Sequence, residues 1–309
     1  MSNSEQRECT GVEIKVPWGH ISGKWWGPQT TRPILALHGW QDNAGSFDTL
    51  IPLLPPHIGI LAIDLPGHGF SSRIPDGQMY YNLDYVTTVC MIMKEYNWDK
   101  VSILGHSMGS IVGFLLAGIF PDKVELLIGL DAYKPLSVME DYYSVKMNHI
   151  ITLFLIADDR NRNESEPPSY PYDECIEKLY IGAGSSIDRD KCAHILERNI
   201  KRSTKYPDKY YFTRDSRIKY TNIGIWPKDL YSSVLEKITC PTLFIRALDS
   251  PVIPNAPPFD EHLSVLKKNP RFEYEEVDGR HHVHLNEPHK VSGIISKFLL
   301  KHTTPSAKL

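Results

Sequence analysis

The chain has 309 residues, 41% of them hydrophobic and 23% charged, with a formal net charge of -3. Those proportions are ordinary for a globular protein and exclude disordered, collagen-like and disulfide-scaffold classes. A near-balanced charge gives no electrostatic footprint for nucleic acid or an anionic membrane, so neither is expected as a partner.

The five cysteines, Cys9, Cys90, Cys175, Cys192 and Cys240, are odd in number and widely spaced, with no Cys-x-x-Cys pair. They are read as reduced thiols in an intracellular protein. The polar start lacks the apolar stretch of a secretory signal. The longest apolar run, Ile111 to Phe120, is too short to span a bilayer and reads as a buried core helix.

In chain order, Val12–Val16 and Ile21–Trp26 flank Pro17-Trp18-Gly19-His20 as an opening hairpin. Short apolar runs follow at Ile34–Leu37, Gly59–Ile63, Val101–Leu104 and Val124–Leu130. Between them lie helical stretches, Asp84–Tyr96 and Ser107–Phe120, the second ending at Pro121 because proline disfavours helix in the residue before it. Continuous apolar strands alternating with helices predict a mostly parallel sheet covered on both faces. From about Tyr133 to Tyr231 the periodicity turns helical, with a loop at Glu164–Pro171. Strand–helix alternation then returns with Pro241–Leu248, Phe272–Val277 and the closing helix Val291–Leu300. This predicts an α/β core of residues 1–135 and 229–309, interrupted by a helical cap at 136–228.

The chemistry concentrates at Gly105-His106-Ser107-Met108-Gly109, a G-x-S-x-G pattern directly between a strand and a helix. That context marks a nucleophile elbow, with Ser107 raised on a turn too tight for flanking side chains and set at a helix N-terminus. A serine needs a base. The candidate loop is Gly279-Arg280-His281-His282-Val283-His284, after the last strand; His281, nearest the glycine, is the first choice, with His282 and His284 read as structural or solvent-facing. No neighbouring carboxylate or cysteine spacing completes a metal site there, so neither metal nor cofactor is expected. The base needs a carboxylate to hold its tautomer. Two aspartates sit at strand ends in the order Ser, Asp, His: Asp249, the first choice, and Asp131, the alternative. The oxyanion donors are predicted to be the backbone N–H groups of Met108 and of Trp40 in His38-Gly39-Trp40. Asp64-Leu65-Pro66-Gly67-His68-Gly69-Phe70-Ser71 is read as scaffold for the rim of the site; no phosphate-binding glycine loop occurs.

Together these residues resemble the α/β-hydrolase superfamily over nearly the whole chain. A narrower resemblance is to the serine hydrolase-like proteins of animals. It rests on Pro17-Trp18-Gly19-His20-Ile21, the segment from His38 to Asp48, Ser102 to Ser107, Thr213-Arg214-Asp215-x-Arg217 and His281-His282-Val283-His284-x-x-Glu287-Pro288. It implies a nucleophile at Ser107 and a base at His281 and supplies no defined substrate. One departure bears on the acid: many superfamily members carry Asp directly before Pro after the penultimate strand, whereas here Ser250 precedes Pro251 and Asp249 lies one place earlier. The reading is a carboxylesterase-like serine hydrolase of small or medium apolar esters. The rivals are a ligand-binding protein of the same fold and a carbon–carbon hydrolase or lyase using the same serine. The terminal Ala307-Lys308-Leu309 is a close variant of the peroxisomal Ser-Lys-Leu signal, predicting a peroxisomal import receptor as partner, with cytoplasm as the alternative address.

Overall fold

The computed structural model describes residues 7, 9–135, 140–163, 166–220, 226–252 and 257–303; Ala307-Lys308-Leu309 lies outside them. β1 (Cys9–Val16) and β2 (Gly19–Trp26) form the opening hairpin, closed by Val16 opposite Gly19. β3 (Ile34–Leu37) and β4 (Ile60–Ile63) follow. Then come α1 (Asn82–Glu95), β5 (Val101–His106), α2 (Met108–Ile119) and β6 (Val124–Leu130). The next stretch holds α3 (Glu140–Arg162), α4 (Tyr172–Gly182), α5 (Cys192–Leu196), β7 (Ile200–Arg202), β8 (Tyr210–Phe212) and α6 (Lys228–Leu235). The chain closes with β9 (Thr242–Ala247), α7 (Pro257–Leu266), β10 (Phe272–Val277), α8 (Val283–Asn286) and α9 (His289–His302).

Eight strands form one sheet in the order β1-β2-β4-β3-β5-β6-β9-β10, antiparallel at β1-β2-β4 and parallel onward from β4. The predicted mostly parallel sheet is therefore present, and its fully apolar strands have the expected cause. Along β3, Leu35 and Leu37 join a core shared with α1 and α2, while Ile34 and Ala36 join a second core on the other face with Val291, Ile295 and Phe298 of α9. With both faces covered, every residue of β3, β4 and β5 is buried. The strand order reverses at β3: β4 lies on one side and β5 on the other. A crevice opens outside the carboxyl ends at such a point, and the loops after β3 and β5 face it.

The stretch between β6 and β9 is not wholly helical: β7 and β8 form an antiparallel hairpin, with Tyr170 bridging to Tyr210. These strands are only three residues long and rich in Lys, Arg and Tyr, so period-2 alternation is too brief to read. Part of this stretch has its own small core, Cys175, Leu179, Ile187, Cys192, Ile195 and Leu196, and Leu285 from α8 completes it. A buried ion pair ties it to the sheet: Arg198 donates from Nε and Nη2 to Asp64 Oδ2 at 3.0 and 2.7 Å. Asp64 also accepts the Ala44 and Phe70 N–H groups, each at 2.8 Å. The Asp64 loop is thus scaffold, and its carboxylate is what makes it so.

Removing one member of a buried pair strands the other. Arg198→Ala should lower the unfolding free energy by about 3–5 kcal/mol, measured by urea denaturation. A loss of only about 0–1 kcal/mol, as for exposed pairs, would mean that the pair does not anchor this stretch.

Candidate active site

Ser107 lies between the end of β5 and the start of α2 with φ 50° and ψ -117°. This backbone region is uncommon for a residue with a side chain and is kept only where the surroundings over-determine it. The surroundings here are close backbones. A Cβ on Gly105 would lie 2.5 Å from Gly109 O, and one on Gly109 would lie 2.0 Å from Leu37 O. Both flanking glycines are required by that crossing. Ser107 N–H donates to Leu130 O at 2.9 Å and Gly109 N–H to His38 O at 3.0 Å, fixing the turn to β6 on one side and to the loop after β3 on the other.

His281 Nε2 is 2.8 Å from Ser107 Oγ, and its Nδ1 is 2.6 Å from Asp131 Oδ2. The carboxylate accepts the Nδ1 proton, so the Nε2 lone pair faces the serine hydroxyl. Ser107, His281 and Asp131 form one hydrogen-bonded chain from positions 174 residues apart. The aspartate on His281 is Asp131 and not the first choice, Asp249. Asp249 is exposed, and its backbone N–H is spent on Gly279 O at 3.0 Å. The reason is strand order. Asp131 ends β6, the immediate neighbour of β5, whereas Asp249 follows β9, one strand further out. Asp131 is held there with φ 52°, by its N–H to Ile245 O and by Ala247 N–H to its Oδ1, both at 2.8 Å. The loop after β9 contributes Ser250 instead, with Oγ 3.4 Å from His281 Nδ1.

The predicted oxyanion donors lie on the two loops that the Gly109–His38 bond clamps together. Met108 opens α2, so its N–H is among those without an intrahelical acceptor. Trp40 is half-exposed, with its indole N–H on Ile218 O at 2.7 Å. His38 braces this loop. Its Nε2 accepts Leu65 N–H at 2.9 Å, so Nδ1 carries the proton and donates to Gly39 O at 2.7 Å. Burial pushes His38 down to about 4, keeping it neutral.

His282 and His284, expected to be structural or solvent-facing, are both buried. His106 Nε2 donates to His281 O at 3.0 Å, holding the base loop against the elbow; burial pushes His106 down to about 4. His282 Nε2 lies 3.1 Å from Asp42 Oδ2, and His282 Nδ1 lies 2.6 Å from Ser186 Oγ in the stretch between β6 and β9. Asn286 donates to Ser186 O and accepts Asp188 N–H, at 2.8 and 3.0 Å. Asp42 and Ser186 carried no site signal, because their partners lie 240 and 96 residues away.

The alpha/beta hydrolase fold family matches residues 32–151. A probable serine hydrolase from Drosophila melanogaster is 37% identical over 93% of this chain and 86% of its own length. The chain belongs to the serine hydrolase-like proteins of the alpha/beta hydrolase fold. A serine hydrolase-like protein from Danio rerio is 34% identical, over 95% of this chain and 89% of its own. Among solved structures, a hypothetical protein from Pseudomonas aeruginosa PAO1 superposes with a TM-score of 0.80 at 28% identity, over 94% of this chain and 99% of that one. This serine hydrolase-like chain thus shares its fold with that structure along almost its full length.

The strain at Ser107 gives a stability prediction. Ser107→Gly and Ser107→Ala both delete the hydroxyl, but only glycine takes a positive φ without cost. Elsewhere glycine is destabilising relative to alanine; here Ser107→Gly should be more stable than Ser107→Ala by about 1 kcal/mol. Thermal unfolding of the two variants checks this, and the reverse order would show that the turn is unstrained.

Proposed function

We propose that this chain is a carboxylesterase-like serine hydrolase acting through an acyl-enzyme on small or medium apolar esters. The observation that carries the reading is the continuous hydrogen-bonded chain Ser107–His281–Asp131, with spans of 2.8 and 2.6 Å. Ser107 Oγ attacks the acyl carbonyl while His281 Nε2 takes its proton. Asp131 orients the ring and stabilises the imidazolium that forms. The carbonyl oxygen gains negative charge and is received by the Trp40 and Met108 N–H groups, either of which contributes about 3–4 kcal/mol to the transition state. His281 returns the proton to the leaving alcohol, then activates water to clear the acyl group from Ser107.

The stretch 136–228 acts in this reading as a cap over the crevice. In support, Trp40 at the rim donates its indole N–H to Ile218, and Ser186 meets His282 beside the base. The exposed rings of Trp40 and Phe70 favour an apolar acyl group over a charged one.

A fluorophosphonate probe should label the wild-type protein and not Ser107→Ala. With a series of p-nitrophenyl esters, Asp131→Asn should lower kcat by about 10⁴, whereas Asp249→Asn leaves it unchanged. Absence of labelling in folded wild-type protein would favour a ligand-binding role. Turnover of β-diketones without ester cleavage would favour carbon–carbon hydrolysis.

A further inference from the structure

Behind the Ser107–His281 pair, three buried side chains converge: Asp42, His106 and His282. Asp42 Oδ2 is 3.1 Å from His282 Nε2 and 3.6 Å from His106 Nδ1, and all three atoms lie within 4.8 Å of one another. Their outward hydrogen bonds determine which nitrogens carry protons. His106 Nε2 faces the carbonyl oxygen of His281 and must donate to it. In the neutral ring, His106 Nδ1 is then a bare lone pair, and it has no hydrogen-bond partner among the described residues. Ser186 Oγ donates to Ala183 O at 2.7 Å, so it accepts from His282 Nδ1 at 2.6 Å. The neutral ring of His282 therefore turns a lone pair towards Asp42 as well. With His282 Nε2 protonated instead, Asp42 accepts one hydrogen bond from it; in either state His106 Nδ1 has no hydrogen-bond partner among the described residues.

We propose that Asp42 Oδ2, His106 Nδ1 and His282 Nε2 form a binding site for one divalent transition-metal ion of the zinc type. Two imidazoles and a carboxylate are a zinc donor set. With bonds of about 2.0–2.1 Å, a tetrahedral ion separates its ligand atoms by about 3.3–3.4 Å, the range spanned by the two measured distances from Asp42. Metal-ligating histidines characteristically give their other N–H to a carbonyl or a polar oxygen, as both rings do here. Gly39 keeps the cradle open, because a Cβ there would lie 2.8 Å from Asp42 Oδ2 and 2.9 Å from His106 Nδ1. His106 precedes Ser107 and His282 follows His281, so the ion would brace both catalytic loops from behind without touching substrate. No carboxylate or cysteine spacing in the histidines' own stretch of chain completes a metal site; the fold brings Asp42 from 240 residues away.

The test uses the full chain dialysed against chelator and then titrated with cobalt(II) or zinc(II) chloride. Expected are the strong visible bands of four-coordinate cobalt, one tightly held ion per chain by elemental analysis, and a thermal midpoint that climbs with the logarithm of zinc concentration. His282→Gln, Asp42→Asn and Gly39→Ala should each lose the bands and the midpoint shift. His57→Ala, which removes an exposed imidazole, should keep both. Weak six-coordinate bands or no bands in the wild type overturn the site. So does binding that survives these three variants with circular dichroism unchanged. If the variants fail to fold, the wild-type cobalt spectrum decides alone. None of these readouts depends on ester turnover.

Discussion

The close crossing of α2 over β3 is the constraint on which the site depends. Gly109 presses its Cα against Leu37 O and gives its N–H to His38 O, and that contact is reached only if the chain turns at Ser107 with a positive φ. The same bond brings the loop after β3 beside the first turn of α2, so the nucleophile and the two prospective oxyanion donors are placed by one backbone contact. The cost is a strained residue, and the tight packing of two apolar cores around β3 and β5 offsets it.

Around this turn lies an unusual density of buried polar groups. His38, Asp42, His68, His106, His282 and His284 are all buried at the carboxyl end of the sheet, and burial holds His38 and His106 near 4 and His68 near 3. A neutral imidazole can donate from one nitrogen and accept at the other, as His38 and His68 do in joining the loops after β3 and β4. The chain of contacts runs from Ser186 through His282 and Asp42 to His106, and from His106 back to the carbonyl of His281.

Much of this was legible in the sequence, for identifiable reasons. The central strands β3, β4 and β5 are wholly buried, so they read as largely apolar runs, and the strand ends of the sheet differ from expectation by a few residues at most. The elbow was legible because its serine and flanking glycines are contiguous in the chain between a strand and a helix, although Gly109 is held to glycine by Leu37 of β3. The β7–β8 hairpin was not legible, because strands of three residues are too short to carry a periodic signal. The identity of the carboxylate on His281 was not legible either. Asp131 and Asp249 both end apolar strands and both keep the chain order Ser, Asp, His.

The sequence by itself determined the alternation of strands and helices, the turn at Ser107 and the histidine-bearing loop that follows β10. These are carried by residue patterns contiguous in the chain, even where, as at Gly109, the contact that demands the residue comes from β3. Only the tertiary structure decided which aspartate meets His281, that Asp42 joins His106 and His282, and that Ser186 reaches the base loop. Those choices follow from strand order, which puts β6 rather than β9 beside β5 and is set by packing across the whole sheet.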